Sequence, residues 1–446
     1  MPAPRPASPV SARLVDRNFV LIFLGAFCFN MDYTLYFLLP HYLELRGTSE
    51  AFYGAVAGSF GLSAFVFMLL LGHLGDAWPR KWQVLVYLLP FQAANVLAVL
   101  AYRAAPEWYF AVRILHGFSA GLAIPLLYTW SVELGAPQRR TEILAYMGMN
   151  FLIASILGPF LGEVLLAWFP TPQPADAYLA LFAVSVALSV GGHAMLLAVS
   201  ASPMRPHRES WLALVGMIRR PASLLLLGLV LIFGGIYGVF FAFGKNYVAG
   251  MDLGFASVLF AGYAAGSIIS RLVFRPMLLL FGELNLIPLG MTSFALSFLL
   301  LSVATTYPLL GMSGLLCGLS HTMLAPTTTS RLLALQRPAE LGRATVIWYG
   351  TWGGGAGLFP YLGGFLLESV SFPTLYQWMA VVCLLSVGLH YLTNLAAPGQ
   401  IAMLQETAVL QATKAPAAAE GAPAERTFDS VAPRRTVTRV VTIRRA

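Results

Sequence analysis

Charge is what this sequence lacks most. Of its 446 residues only 10% are Asp, Glu, Lys or Arg, while 58% are hydrophobic. A soluble domain carries about 25% charged residues, so so little charge cannot cover a water-exposed surface. Cysteine is also scarce. Cys28, Cys317 and Cys383 all fall inside apolar runs, which excludes a disulfide framework and metal-ligand spacing and leaves them as small packing residues. No GxxxxGK[ST] loop is present, which excludes ATP binding by that route. Nucleophile triads and clusters of metal-ligating side chains are missing as well, so neither an enzyme, a cofactor nor a resident metal is expected. Met147, Met149 and Met323, the last close to His321, are read as packing rather than as a metal path. No cleavable signal peptide is expected, because residues 1–17 are Pro-rich and the apolar run after them is too long for a signal core.

What the sequence has is long hydrophobic runs. A helix needs about 20 apolar residues to cross a bilayer, and twelve runs qualify: 18–43, 51–75, 82–103, 108–134, 141–169, 177–200, 221–248, 254–281, 284–305, 308–333, 342–369 and 373–395. They are called spans 1 to 12 here. The expected class is an all-α membrane protein. An even count puts both termini on one side, and Lys and Arg choose the side. With the termini in the cytoplasm, the inner segments hold Arg5, Arg13, Arg17, Arg80, Lys81, Arg139, Arg140, Arg205, Arg208, Arg219, Arg220, Arg331, Arg337 and Arg343, and the tail adds seven more basic residues. The outer loops keep Arg46 and Arg103, with Glu44, Glu50, Glu107, Asp176 and Asp252. The net charge of +8 is therefore an orientation signal and not a nucleic-acid signal. A multi-pass protein of the inner (plasma) membrane is expected, with both termini cytoplasmic and a monomeric state.

The basic segment 201–220 divides the spans six and six, which predicts an N-terminal bundle over 18–200, a cytoplasmic linker over 201–220 and a C-terminal bundle over 221–395. Residues 1–17 and the Ala-, Pro- and Arg-rich tail 396–446 are expected to be disordered and cytoplasmic. A polybasic tail of this kind also suits an anionic lipid surface. An internal repeat supports the division. A shift of 201 residues lays Gly117 on Gly318, Ser119 on Ser320, Pro125 on Pro326, Pro159 on Pro360 and Gly162 on Gly363. Parallel repeats place a substrate site between the two halves near the midplane.

Four short motifs carry a resemblance. After span 2 the chain reads Gly72-His73-Leu74-Gly75-Asp76-Ala77-Trp78-Pro79-Arg80-Lys81, and span 4 holds Arg113-Ile114-Leu115-His116-Gly117-Phe118-Ser119. Span 5 holds Gly158-Pro159-Phe160-Leu161-Gly162-Glu163, and span 1 holds Asp32-Tyr33-Thr34 followed by Pro40. Over residues 18–395 this layout resembles the major facilitator superfamily, and in particular its drug and metabolite–proton antiporters. The resemblance implies a conformational latch at Gly72, Asp76, Arg80 and Glu133, with Ala77 and Pro79 departing from the usual basic residue and glycine. It also implies an antiporter-like element at Gly158, Pro159 and Gly162, where Glu163 replaces the motif's last glycine.

Ionisable groups inside the membrane are functional candidates by default, because each costs several kcal/mol to place there. Asp32, Arg113 and His116 lie at compatible depths, and His116 shares a helical face with Arg113. Either Asp32 carries a proton under the influence of Arg113, or the two form an ion pair that ties spans 1 and 4. His321 lies near the middle of span 10, where binding, titration and a hydrogen-bonded core role all fit. Tyr33, Tyr36, Phe37, Trp348, Tyr349 and Trp352 are candidates for an aromatic cavity wall. Lys245, Glu163 and Glu368 lie at the outer ends of their spans, where interfacial placement and an outer gate are both open. The reading that follows is a secondary transporter with alternating access that exports a small amphipathic compound against proton entry, its partners being substrate, protons and lipid. A proton-coupled importer of an organic anion, using Arg113, Lys245 and Arg271, and a non-transporting sensor or scaffold are the alternatives.

Overall fold

With lipid as solvent every backbone N–H and C=O must be satisfied within the chain, which leaves helices as the building unit for runs of this composition. The computed structural model describes residues 16–71, 79–134, 140–169, 173–200, 219–251, 253, 255–336 and 341–396. Gly72 and Asp76, most of the 201–220 segment, residues 1–15 and the tail beyond 396 lie outside them. The helices are α1 (Arg17–Leu35), α2 (Leu39–Leu45), α3 (Glu50–Leu71), α4 (Arg80–Leu100), α5 (Trp108–Leu134), α6 (Arg140–Trp168), α7 (Tyr178–Leu197), α8 (Pro221–Ala249), α9 (Ser257–Ser302), α10 (Tyr307–Ala334), α11 (Leu341–Leu367) and α12 (Phe372–Ala396). Their outward faces are apolar, with Leu272, Leu280 and Leu385 each more than 70% exposed. Such surface is compatible with acyl chains and not with water.

The first crossing is made of two helices and a tight turn. Pro40 has no N–H and its ring crowds the carbonyl four residues back, that of Tyr36. The chain answers with a 3-10 turn over Tyr36–Leu38, in which Leu39 N donates to Tyr36 O. Among the described residues, ten helical segments are long and apolar enough to cross a membrane. One of them, α9, has the length for two crossings. Its first arm runs parallel to α10, with Gly314 against Leu259 and Gly318 against Tyr263. Its second arm runs antiparallel, with Ser293 bonded to Leu316 O and Ser297 to Ser313 O. The reversal sits at Gly282, whose φ of 73° and ψ of 157° only glycine adopts without strain. Spans 8 and 9 are thus joined by a corner and not by a loop. Glycine-rich α11 is too weakly apolar to count among the ten, yet it lies along α3 and α8 inside the assembly. This gives about twelve crossings.

The helices form two pseudo-symmetric bundles, α1–α7 and α8–α12. The repeated glycines do the same work in each. Gly117 of α5 meets Phe60 and Ser63 of α3, and Gly318 of α10 meets Tyr263 of α9. Between the bundles α3 packs on α11, α6 on α9 and α2 on α8. The α3–α11 seam is backbone against backbone, as small residues allow in membranes. A Cβ on Gly58 would lie 2.4 Å from Gly357 O, and one on Gly61 would lie 2.4 Å from Gly353 O.

Candidate functional site

Polar side chains buried far from water need partners, and three groups of them organise the interior. The first lies in the N-terminal bundle. Asp32 of α1 is fully buried, and Asn95 of α4 donates its Nδ2 to Asp32 Oδ2 at 2.5 Å and to Ser185 O at 3.3 Å. Asn95 Oδ1 in turn takes the Tyr36 hydroxyl at 2.9 Å and faces His116 Nε2 at 2.9 Å. An amide oxygen only accepts, so His116 carries its proton on Nε2 and leaves Nδ1 as a bare acceptor. Asp32 and His116 are therefore joined, through Asn95. Arg113, 6% exposed, sits with its guanidinium 4.4 Å from the Phe60 ring centroid and 5.8 Å from that of Tyr36. It makes no ion pair with Asp32. Asp32 Oδ1, His116 Nδ1 and Arg113 Nε and Nη1 are all buried without partners among the described residues. The cluster thus holds unused acceptors and unused donors side by side. Asn95 escaped the sequence reading, although an amide in the middle of an apolar run is itself a costly placement and was a visible signal.

Next to this cluster a cleft runs among α1, α4 and α5, lined among others by Asn30, Tyr33, Phe91, Ile124 and Tyr128. Phe91 closes it on the His116 side, with ring centroids 4.4 Å apart. Tyr33 leads from it to the C-terminal bundle through Phe37, whose ring lies 4.4 Å from that of Phe241.

The second group is in the C-terminal bundle. His321 of α10 is bonded through Nδ1 to the Tyr263 hydroxyl of α9 and is stacked on Trp352 of α11 at 6.0 Å and 19°. Tyr237 and Phe233 of α8 pack behind the pair, with centroids 5.1 and 5.4 Å from His321. Of the other aromatic candidates, Trp348 is buried and donates to Thr328 Oγ1, and Tyr349 is exposed.

The third group spans the two bundles. Lys245 of α8 donates to Glu163 Oε1 of α6 at 2.9 Å, and both side chains are less than 10% exposed. Glu163 also accepts the backbone N–H groups of Ala256 at 2.8 Å and Ser257 at 3.1 Å, so it closes the N-terminus of α9, where a carboxylate is favoured. Asn246 adds a bond to Glu44 at 2.9 Å. Glu368 is exposed just beyond α11 and does not join them. Removing one partner of a buried pair costs about 3–5 kcal/mol, because the other charge is left uncompensated. Lys245→Met is thus expected to lower the thermal midpoint of the purified protein clearly, and adding Glu163→Gln to recover most of the loss. An unchanged midpoint in the single variant would show that the pair bears no such weight.

At the opposite end Arg80 Nη2 lies 3.0 Å from Glu133 Oε1, which joins α4 to α5. Gly158 and Gly162 let α6 close on the first crossing, where a Cβ would meet Thr34 Oγ1 at 2.0 Å and Leu38 Cδ1 at 2.5 Å, and Pro159 lies inside α6 between them. Among the described residues no group of three His, Cys, Asp or Glu side chains is arranged to hold a metal.

A family model, Major Facilitator Superfamily, matches residues 21–258 and 246–409. The chain belongs to the Major Facilitator Superfamily. It is a multi-pass membrane protein of that superfamily. Among curated proteins it is 33% identical over 129 residues to inner membrane transport protein YajR of Escherichia coli (strain K12), a stretch covering 28% of this chain and 27% of that protein. It is 27% identical over 110 residues to multidrug resistance protein 3 of Bacillus subtilis (strain 168), covering 25% and 21% of the two chains. These matches span less than a third of either relative. Solved structures of other transporters match over nearly their whole length. The nucleoside transporter NupG aligns with a TM-score of 0.68 at 18% identity, covering 85% of this chain and 98% of that one. The human organic anion transporter MFSD10 aligns with a TM-score of 0.61 at 17% identity, covering 84% and 99%. At such identities the superfamily fold is what is shared.

Proposed function

We propose that this transporter couples proton entry to the export of a small amphipathic compound, with Asp32 as the proton carrier. The observation that carries the proposal is the buried cluster in which Asp32 Oδ1 and Arg113 Nε and Nη1 lack partners while Asn95 ties Asp32 to His116. Burial disfavours a charged carboxylate and a nearby cation favours it, so a group that alters either balance loads or releases a proton. A substrate that engages Arg113 withdraws the cation from Asp32, and Asp32 takes up a proton. Departure of the substrate reverses the exchange. His116 and Tyr36 act through Asn95, while His321 and Trp352 supply the facing wall of the cavity.

In this reading the bundles 18–200 and 221–395 rock about the seam, joined by 201–220. The excess of Lys and Arg puts the Arg80 end, both termini and the tail in the cytoplasm. The Lys245–Glu163 end then faces outward and is held shut across the bundles, so the conformation is closed to the outside. Arg80 and Glu133, with Gly72 and Asp76, form the inner latch, and Gly158, Pro159 and Gly162 keep α6 tight on the first crossing. The protein works as a monomer in the inner (plasma) membrane. Uptake of an organic anion is the second reading, and the unpartnered donors of Arg113 favour it. Lys245, already neutralised by Glu163, does not.

The test is transport by reconstituted vesicles carrying an imposed pH gradient, against a panel of amphipathic compounds. Movement of a compound opposite to the proton flow is expected. Movement with the protons would install the uptake reading, and indifference to the gradient would remove proton coupling altogether.

A further inference from the structure

The charges of the C-terminal bundle are one-sided. Helices α8, α10, α11 and α12 contain no Asp or Glu, and the single acid of α9 is Glu283, beside the Gly282 corner. Cations are present throughout: Lys245, Arg271, Arg275, Arg331 and, at the start of α11, Arg343. Two of these are engaged, Lys245 by Glu163 and Arg331 by Asn394. Arg271 is different. Among the described residues it has no acidic partner, and its guanidinium reaches across to α6, where Nη2 would lie 3.3 Å from a Cβ on Gly148. That places it between the bundles. It is also within electrostatic reach of Tyr263 and of Tyr128 in the cleft.

Two turns along α9 from Arg271 stands the His321–Trp352 pair with Tyr263 bonded to it. Both members of the pair are partly exposed, while Phe233 and Tyr237 behind them are buried. Stacked rings that are not wholly covered form a platform for another planar ring. The polar groups at its edge are donors. Trp352 Nε1 has no partner, and neither has the Tyr237 hydroxyl, on a residue 2% exposed. When Tyr263 donates to His321 Nδ1, Nε2 adds a third N–H. Buried donors left without acceptors favour a ligand that brings acceptors.

We propose that the His321–Trp352 platform, together with Arg271, binds planar aromatic anions such as carboxylates or phenolates, and that this is the class of compound the transporter moves. The ring lies on the platform, its oxygens meet Trp352, Tyr237 and His321, and its charge meets Arg271. A lipophilic cation of the same size would find no acid on α8, α10, α11 or α12 to pair with, and Glu283 of α9 lies away at the Gly282 corner. The inference rests on the transport reading above for its biological meaning, but binding is measured without it.

The test uses the purified full-length chain at neutral pH with no gradient, and three probes that share one ring system: 2-naphthoate, 2-naphthylmethanol and 2-naphthylmethylammonium. The expected result is that 2-naphthoate binds at least about tenfold more tightly than the ammonium, that Arg271→Gln removes this preference, and that Arg271→Lys keeps most of it. Trp352→Leu is expected to weaken all three probes. Each variant's thermal midpoint is read alongside, so that misfolding is not scored as lost affinity. Equal or tighter binding of the ammonium, an anion preference that survives Arg271→Gln, or no binding of any probe to the folded chain would overturn the proposal. Because equilibrium binding needs no pH gradient, loss of proton coupling leaves this result standing. A cation preference would remove the substrate class without touching the transport reading.

Discussion

Asp32→Asn is expected to reduce proton-driven accumulation of substrate to the level of protein-free vesicles, while substrate exchange without a gradient continues. The two side chains have the same shape. An amide at position 32 can offer its oxygen to Asn95 Nδ2, which now donates to Asp32 Oδ2 at 2.5 Å, so the local hydrogen bond survives. A retained buried hydrogen bond keeps the change in folding stability to about 1 kcal/mol. What disappears is the carboxyl of the cluster, the group that changes between −1 and neutral most readily. Arg113 is then left without a carboxylate beside it, and substrate binding can no longer be traded for a proton. The measurement is paired: gradient-driven accumulation and gradient-free counterflow in the same vesicle preparation. If the variant accumulated substrate at the wild-type rate, Asp32 would be a structural residue and the proton would travel elsewhere.

The second large effect concerns the seam, where one methyl group is expected to decide between function and failure. Within a helix, exchanging Gly for Ala ordinarily helps by about 1 kcal/mol. At Gly58 the added Cβ would sit 2.4 Å from Gly357 O and 3.0 Å from the Tyr361 backbone nitrogen, so α3 and α11 must move apart along their length. Forcing extra volume into a tight contact costs about 1–3 kcal/mol, and here it also displaces the surface on which the bundles turn. Gly353, on the facing helix, has no atom within 4 Å of its added Cβ. Gly58→Ala is therefore expected to abolish transport and lower the thermal midpoint, while Gly353→Ala leaves both intact. Normal transport by Gly58→Ala would show that the seam is loose enough to open without moving its backbones.

Much of the architecture was legible because lipid imposes a coarse rule. Helices of about 20 apolar residues are read from hydropathy alone, and the repeat offset of 201 residues pairs Gly117 with Gly318, which make matching contacts with α3 and α9. Hydropathy could not distinguish a loop from a corner at Gly282, since a positive φ leaves no compositional mark beyond the glycine itself. Depth along a helix placed Asp32, Arg113 and His116 near one another. It could not supply their connectivity, because that runs through Asn95 on a third helix and leaves Arg113 on aromatic rings. The Lys245–Glu163 contact was less accessible still. Its partners come from different bundles, and its remaining donors are the backbone amides of Ala256 and Ser257, which have no side-chain signature. The aromatic residues of α8, Phe233 and Tyr237, carry no mark in the sequence beyond their place in an apolar run, and only their arrangement around His321 sets them apart.

The corner at Gly282 makes the two arms of α9 a fixed ruler inside a moving machine. A flexible tether would let neighbouring helices slide and tilt independently, but a single-residue vertex whose arms also share α10 as a common strut removes that slack. Spectroscopic labels at Ile268 and Leu296, exposed positions on the two arms, should therefore hold one separation through the whole transport cycle, which supplies an internal reference against which larger displacements elsewhere can be measured.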